Sequence, residues 1–264
     1  MVRPQKSLGQ NFLSCEASIA RIVDGAEIGP AARVVEIGPG LGALTVPLLR
    51  RMGKLWAVER DARLIPLLRQ RTRDLGELEL VYGDALEVSF TELAQERGGT
   101  LTLLSNLPFS ISTPLLMRVF EERAAFESIT VMVQKEVADR LLAEPDTEAY
   151  GTLSVYRGLW MHGRIVLQVP RDRFVPAPDV DATVIHLTPR QEPLCPMPTD
   201  AALQQVVRAA FGQRRKTLRN ALRSLLPESS DLLEEAAIDP MRRGETLSLA
   251  EFARLALLWS ARRG

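Results

Sequence analysis

The sequence predicts an α/β protein, in which a mostly parallel sheet with helices on both faces is followed by a small helical region. Three observations support this prediction. Short apolar, β-branched runs alternate with helix-length segments as far as about residue 190, a pattern that favours a parallel sheet. The segment PRQEPLCPMPTD then carries four prolines in twelve residues, which is typical of a linker. Beyond it, apolar residues recur at helical spacing to the end of the chain.

These patterns predict the individual elements and two domains. The predicted strands are 33–38, 54–59, 78–83, 100–105, 128–134, 164–169 and 182–188. The predicted helices include 61–75, 113–122, 200–212, about 213–226, 230–238 and 248–262, and a residue from Thr246 to Ser248 is expected to cap the last one. We therefore expect an α/β domain over residues 1–192, in which 1–13 form an arm, and a helical domain over 193–264.

Composition excludes several classes of protein. The 264 residues are 46% apolar and 25% charged, as in ordinary globular proteins, and the net charge is zero, so any basic surface must be local. Two cysteines far apart in sequence and only two histidines provide little material for a metal site. The N-terminus lacks the apolar core of a signal peptide, and no apolar run approaches the roughly 20 residues that span a bilayer. A cytoplasmic protein without metal or membrane attachment is expected.

A glycine-rich loop follows the first predicted strand. It contains Gly38, Gly40 and Gly42 in EIGPGLGALT, and such a loop lets the backbone approach a ligand closely at the start of a helix. Glu59 ends the next strand, where its carboxylate can accept hydrogen bonds from two ribose hydroxyls. Together they predict a nucleoside-containing cofactor at the carboxyl edge of the sheet.

Two kinds of cofactor remain open at this point. The loop satisfies the GxGxx(G/A) pattern of nicotinamide dehydrogenases. Glu36, however, lies two residues before the first glycine, where a carboxylate would repel a pyrophosphate and attract the ammonium of a methionine group. Asp84 and Ala85 end the third strand, and a carboxylate there can accept a hydrogen bond from the amine of an adenine ring, or simply cap the next helix.

The fourth strand ends in Asn106, Leu107, Pro108 and Phe109. If the cofactor is S-adenosylmethionine, this stretch suits methyl transfer to the amino group of an adenine. The amide oxygen of Asn106 and the carbonyl of Leu107 can accept both N–H protons and restore the nitrogen lone pair. Pro108 stiffens the backbone and Phe109 offers a ring for the flipped base. Nothing comparable supplies a hydride acceptor, which argues against a dehydrogenase.

Taken together, the motifs resemble those of the ribosomal RNA adenine N6,N6-dimethyltransferases, in particular the bacterial enzymes that modify small-subunit RNA. The resemblance runs almost end to end, and the matching stretches are GQNFL, VVEIGPGLGALT, VERD, GDAL, NLPF, MVQKEVADRL, YGTLSV, FVPAPDVDATV, FGQRRKTLRNAL and RRGETLSLAEFARL. It implies a Rossmann-like class I methyltransferase sheet with a small all-helical C-terminal domain, and S-adenosylmethionine as cofactor.

The resemblance also implies roles for individual residues. Asn11 and Leu13 would close over the cofactor, so that the arm of residues 1–13 acts as a lid. Asn106 would be the catalytic acceptor, and Phe174 would provide a second aromatic face for the target adenine. The family usually has tyrosine at the position of Phe109, so any role of a phenolic hydroxyl is absent here. The implied substrate is two adjacent adenosines near the 3′ end of small-subunit RNA in the assembling 30S subunit.

A basic segment is the candidate RNA-binding surface. No acidic residue occurs from 201 to 227, whereas the segment contains Arg208, Arg214, Arg215, Lys216, Arg219 and Arg223. Apolar residues between them recur at helical spacing, so the basic side chains are expected to share an outer face. A local basic patch in a protein of zero net charge is typical of phosphate binding, although such a run is also found on simple solvated faces.

Two further functions are compatible with these residues. The macrolide-resistance methyltransferases use a similar cofactor loop and NLPF-type motif on large-subunit RNA, although FGQRRKTLRNAL favours the small-subunit enzymes. Alternatively, the protein could act mainly as a ribosome-assembly checkpoint, with methylation secondary. A monomer is expected, since so large a substrate requires no subunit partner.

Overall fold

The computed structural model describes residues 4–5, 10–192, 194–196, 198–225 and 229–262. The chain divides into two compact units. The sheet unit consists of Met1–Ala138 and Gly163–Pro189, and the helical unit consists of Asp139–His162 and Arg190–Gly264.

The strands confirm the predicted α/β sheet. In chain order they are β1 (Phe12–Leu13), β2 (Arg33–Ile37), β3 (Lys54–Glu59), β4 (Glu77–Tyr82), β5 (Leu101–Asn106), β6 (Phe126–Gln134), β7 (Met161–Val169), β8 (Phe174–Val175) and β9 (Ala182–Pro189). Seven of them form one sheet in the order β4-β3-β2-β5-β6-β9-β7, and β1 pairs with β8. The strands from β4 to β6 are parallel, and β9 runs antiparallel to β6.

The helices connect these strands and make up most of the C-terminal part. In chain order they are α1 (Glu16–Gly25), α2 (Thr45–Met52), α3 (Ile65–Thr72), α4 (Phe90–Glu96), α5 (Ser112–Glu121), α6 (Lys135–Leu142), α7 (Thr152–Trp160), α8 (Asp200–Gly212), α9 (Leu218–Ala221), α10 (Ser229–Glu235) and α11 (Leu249–Ala261). Single turns of 3₁₀ helix include Phe109–Ile111 and Arg171–Arg173.

The centre of the sheet determines where a ligand can bind. Strand β2 is buried from Val34 to Ile37, as expected for a parallel strand covered on both faces. It pairs with β3 on one side and with β5 on the other. The strand order therefore reverses at β2, and in such sheets ligands bind beyond the carboxyl ends of the strands at this point.

The division of the chain differs from the predicted boundary at residue 192. The segment 139–162 belongs to the helical unit, because the apolar helix α7 packs closely against α11. A Cβ built on Gly158 of α7 would lie 2.6 Å from a methyl carbon of Leu249, so the absence of a side chain at Gly158 permits this contact. Strand–helix alternation along the sequence contains no signal for such an insertion.

The C-terminal helices follow the prediction except between residues 213 and 226. There, a turn follows the end of α8 at Gly212, and the short helix α9 starts only after Thr217. This turn contains Arg214, whose guanidinium binds the carbonyls of Glu148 and Tyr150, a contact with another segment that helical spacing does not reveal. The predicted cap of the last helix is confirmed, since Ser248 and Glu251 exchange hydrogen bonds of 3.2 and 2.7 Å at the start of α11.

None of the helices in the described part of the chain is long and apolar enough to cross a membrane. Across the same residues, no three His, Cys, Asp or Glu side chains are grouped so that they could hold a metal ion.

Candidate active site

The glycine loop joins β2 to α2 at the centre of the sheet's carboxyl edge. Gly38 and Gly40 have φ angles of +64° and +59°, which side chains rarely adopt. A Cβ on Gly38 would lie 3.1 Å from the ring of Pro108, and one on Gly40 would lie 3.2 Å from the ring of Phe12. The loop is therefore in close contact with both the NLPF stretch and the N-terminal arm. Gly42, by contrast, packs against Leu68 of α3.

Glu59 lies at the end of β3 and supports this loop. Its Oε2 accepts a hydrogen bond of 3.0 Å from the Gly40 backbone N–H, and its Oε1 accepts one of 2.8 Å from the Asp61 backbone N–H. Only 6% of the residue is exposed, and burial raises the pKa of its carboxyl group. Because each carboxylate oxygen has a second lone pair, both can also accept from the hydroxyls of a ribose.

Glu36 lies beneath the loop and is 2% exposed. Its Oε2 accepts a hydrogen bond of 2.7 Å from the hydroxyl of Thr45, the first residue of α2. Burial raises the pKa of Glu36 to about 8, against the opposing effect of the Thr45 hydrogen bond and with a smaller contribution from Glu59. A cation near the loop would favour the ionised form of this carboxyl group.

The raised pKa of Glu36 predicts a distinctive pH dependence. Between the unfolded value of 4.5 and the folded value of about 8, the folded state holds one more proton, so the free energy of unfolding decreases as pH rises. Glu36→Gln removes this titration. The variant is therefore expected to lose less stability than the wild type between about pH 5 and about pH 8, as measured by urea unfolding. Glu127→Gln, at an exposed position on β6, is the control, and an unchanged pH slope in Glu36→Gln would contradict the assignment.

Asp84 follows β4, at the same carboxyl edge of the sheet as the glycine loop. Its Oδ1 accepts a hydrogen bond of 3.0 Å from the Leu86 backbone N–H, and its Oδ2 lies 3.0 Å from a guanidinium nitrogen of Arg60. The next residue, Ala85, is buried. Asp84 does not cap the following helix, because Ser89 is the N-cap of α4. Its carboxylate is held in one orientation at the position expected for an adenine contact.

The NLPF stretch begins at the last residue of β5. Leu107 is buried, and its backbone N–H donates a hydrogen bond of 3.1 Å to the carbonyl of Met132 on β6. The side-chain N–H₂ of Asn106 donates to the carbonyl of Asn11 over 3.4 Å, which leaves Oδ1 as its acceptor atom. Pro108 then turns the chain into the 3₁₀ turn that starts at Phe109. The structure therefore brings Pro108, the residue directly after the two predicted acceptors, next to Gly38 of the glycine loop.

The two predicted stacking residues contact each other. The ring centroids of Phe109 and Phe174 are 6.5 Å apart, with an angle of 62° between the rings, and Phe174 is 2% exposed. A base stacked between two rings needs parallel faces about 7 Å apart. The observed arrangement leaves no such space, so Phe174 can provide a second face only after its ring moves away from Phe109.

The N-terminal arm contributes residues that sequence reasoning missed. Strand β1 pairs with β8, which places Leu13 opposite Phe174. Gln10 donates a hydrogen bond of 2.9 Å to Asp61. Gln10 belongs to the motif GQNFL and Asp61 to the motif VERD, and nothing in the sequence indicates that these two motifs contact each other. The arm also contains Arg3 and Lys6, two basic residues that favour RNA binding in the sequence, and both lie outside the described residues.

The predicted RNA-binding residues lie in the helical unit and do not all have the same surroundings. Arg214 uses its guanidinium to donate hydrogen bonds of 2.7 and 3.2 Å to the carbonyls of Glu148 and Tyr150, and it lies 3.6 Å from Glu245. This residue therefore holds the chain before α7 in place. Arg214 is itself exposed, as are the other predicted RNA-binding residues, which are Arg208, Arg215, Lys216, Arg219 and Arg223.

Comparisons with known proteins agree with this geometry. A family model described as ribosomal RNA adenine dimethylase matches residues 1–259. A small-subunit ribosomal RNA methyltransferase A from Magnetococcus marinus is 48% identical over 253 residues, with 96% of this chain and 91% of that protein covered. Its counterpart from Pelotomaculum thermopropionicum is 47% identical over 268 residues, with coverage of 97% and 91%.

Solved structures share the fold. A dimethyladenosine transferase from Plasmodium falciparum superposes with a TM-score of 0.80 at 24% identity, covering 96% of this chain and 98% of that one. The 23S rRNA methyltransferase ErmE gives a TM-score of 0.68 at 26% identity, covering 95% and 100%. The identity is much higher to the small-subunit enzymes than to ErmE, and the match over nearly the whole length excludes the nicotinamide alternative. The chain belongs to the ribosomal RNA adenine dimethylase family, whose members are S-adenosylmethionine-dependent methyltransferases.

Proposed function

We propose that this protein transfers methyl groups to N6 of two adjacent adenosines near the 3′ end of small-subunit ribosomal RNA, giving N6-dimethyladenosines. The observation that carries the proposal is the position of Asn106, Leu107 and Pro108 at the carboxyl end of β5, with Pro108 against Gly38 of the glycine loop. The substrate is the assembling 30S subunit, and the enzyme acts in the cytoplasm as a monomer.

The residues around the glycine loop suit S-adenosylmethionine, which supplies an electrophilic methyl group on a positively charged sulfur. Glu59 would accept from the ribose hydroxyls, and Asp84 would accept from the adenine amine beside Ala85. The backbone around Gly38, Gly40 and Gly42 and the nearby Glu36 would surround the methionine part, and Asn11 and Leu13 would cover the cofactor. The support for these roles is the Glu59 carboxylate, which two backbone N–H groups hold in place.

The chain's own contribution to the chemistry is to make the adenine amino group nucleophilic. The lone pair of this nitrogen is delocalised into the ring. When Oδ1 of Asn106 and the carbonyl of Leu107 accept hydrogen bonds from its two N–H groups, the nitrogen becomes more tetrahedral and its lone pair becomes available. Phe109 would stack on the flipped base. No strong base is required, because the nitrogen becomes acidic as it gains the methyl group and its N–H proton can then pass to water. The residues of the site contribute by positioning and hydrogen bonding.

The exposed basic residues of the helical unit are proposed to bind phosphates of the RNA. This group excludes Arg214, whose guanidinium is bound to backbone carbonyls. It consists of Arg208, Arg215, Lys216, Arg219 and Arg223. The support for the proposal is their exposure in a segment without acidic residues.

Neutralising part of this group should weaken RNA binding. In the double variant Arg215→Ala with Lys216→Ala, affinity for small-subunit RNA is expected to decrease, and the slope of log affinity against log salt to fall by about one unit per lost phosphate contact. Filter binding at several salt concentrations measures both. Arg21→Ala with Arg69→Ala removes two exposed charges from α1 and α3 as a control. An equal loss in both double variants, or an unchanged salt slope, would count against a phosphate-binding role.

The choice of RNA is tested by offering labelled S-adenosylmethionine with unmethylated small subunits, large subunits and naked small-subunit RNA. Label on small-subunit particles alone is the expected result. Label on large-subunit RNA would place the protein with the macrolide-resistance enzymes. Normal maturation of 30S subunits with an Asn106→Ala variant whose methyl transfer is greatly slowed would instead indicate a separate checkpoint role.

A further inference from the structure

Asp61 is a buried carboxylate outside the set of residues assigned to the cofactor. It follows β3 in the VERD motif, and only 5% of it is exposed. Arg63 donates to it from its backbone N–H over 3.1 Å and from its guanidinium over 2.9 and 2.6 Å. The remaining hydrogen bond comes from the N-terminal arm, since Gln10 Nε2 donates to Asp61 Oδ2 over 2.9 Å.

Both ends of the Gln10 side-chain amide are used. Its Oε1 accepts a hydrogen bond of 2.8 Å from the Gln5 backbone N–H, while its Nε2 donates to Asp61. Because the carboxylate can only accept and the backbone N–H can only donate, these two partners determine the orientation of the amide. Gln10 is therefore held in one position on Asp61 and also binds the backbone of Gln5.

Asp61 also connects the arm to the glycine loop. Its backbone N–H donates to Oε1 of Glu59, and Oε2 of Glu59 accepts from the backbone N–H of Gly40. A continuous path of hydrogen bonds thus runs from Gln10 through Asp61 and Glu59 to Gly40. Two residues after Gln10, the ring of Phe12 lies against Gly40 of the glycine loop. The arm therefore contacts the glycine loop directly, close in sequence to the residue that binds Asp61.

We propose that Asp61 is the anchor that holds residues 10–13 closed over the cofactor site, with Gln10 as its partner, and that this contact limits how fast the bound cofactor leaves. The inference rests on the proposed role of Asn11 and Leu13 in covering the cofactor. Gln10 and Asp61 are positioning residues here, since they act through the arm.

Because the anchor Asp61 is charged, side chains of different charge at position 10 should either weaken or preserve its contact with the arm. Arg63 holds the pKa of Asp61 at about 2, so the carboxylate is ionised at neutral pH. Replacing Gln10 leaves the Arg63 hydrogen bonds intact, and the local fold should therefore be preserved. A neutral, a negative and a positive side chain at position 10 should then have different effects on the arm.

The experiment measures dissociation of S-adenosylhomocysteine from the full chain by stopped flow. Gln10→Ala should release it about tenfold faster than wild type, the size expected for losing one charge-assisted hydrogen bond. Gln10→Glu should release it faster still, because its carboxylate faces Asp61, whereas Gln10→Lys should release it near the wild-type rate. Gln70→Ala, an exposed glutamine on α3, is the matched control and should behave as wild type.

A second experiment tests whether Gln10 and Asp61 act through their contact with each other. Adding Asp61→Asn to Gln10→Ala should give no more than the effect of Asp61→Asn alone. The hydrogen bond that Gln10→Ala removes has already lost its charged acceptor in Asp61→Asn. Equal release rates for the alanine, glutamate and lysine variants at position 10, or additive effects in the double variant, would overturn the proposal. Failure of methyl transfer to small-subunit RNA would contradict the proposed function and leave these release rates interpretable.

Discussion

Replacing Asn106 by alanine is expected to lower methyl transfer to small-subunit RNA by about 10²–10³-fold, the usual effect of removing one preorganised hydrogen-bonding group from an active site. The variant loses Oδ1, one of the two acceptors that make the adenine nitrogen nucleophilic. Single-turnover transfer of labelled methyl measures the loss. The polypeptide around it should be unaffected, because the hydrogen bond that the Asn106 side chain donates to the carbonyl of Asn11 is long, at 3.4 Å.

Two controls separate chemistry from binding in this variant. Cofactor affinity, measured by calorimetry, should change by no more than a few-fold, because Glu59 and Asp84 remain. Affinity for the RNA should likewise be retained. A transfer rate close to that of the wild type would show that Asn106 is not the acceptor, and an equal loss of cofactor affinity would make it a binding residue only.

Glu59→Gln is expected to weaken cofactor binding by about 10–100-fold, nearly as much as Glu59→Ala. In the wild type, both carboxylate oxygens accept from backbone N–H groups, at 3.0 Å from Gly40 and 2.8 Å from Asp61. A glutamine has one oxygen and one N–H₂ group, so one of these backbone donors would face another donor. A hydrogen bond to a charged group is lost and an N–H is left without a partner, and the loop moves from the position that binds the ribose.

Glu77→Gln is the matched control for this change. Glu77 is an exposed carboxylate on the adjacent strand β4, where it pairs with Lys54, and cofactor affinity should not respond to its replacement. Calorimetric titration with S-adenosylmethionine compares the variants. Wild-type affinity in Glu59→Gln would show that the two backbone contacts do not determine the shape of the cofactor site.

The sheet and the residues at its carboxyl edge could be predicted because their signals are local. The apolar runs of β2, β3 and β5 mark buried strands, and the residues that end such strands must lie at one edge of a parallel sheet. Glu59 and Asn106 were therefore placed correctly by counting from strand ends.

Contacts between polar groups far apart in sequence could not be predicted in this way. The bond between Gln10 and Asp61 joins residues 51 positions apart, and neither residue belongs to a periodic pattern. The sequence likewise gave no sign that Arg214 binds the carbonyls of Glu148 and Tyr150. Exposure of basic side chains was inferred from helical spacing, which says nothing about partners from another segment.

The most direct test is to identify the product after incubating the enzyme and S-adenosylmethionine with unmethylated small subunits. Digestion of the RNA and mass spectrometry identify the methylated nucleoside, and primer extension finds its position. We expect N6,N6-dimethyladenosine at two adjacent positions near the 3′ end, formed about 10²–10³-fold more slowly when Asn106→Ala replaces the wild type. Methylation of another base, of another atom of adenine, or of large-subunit RNA alone would contradict it.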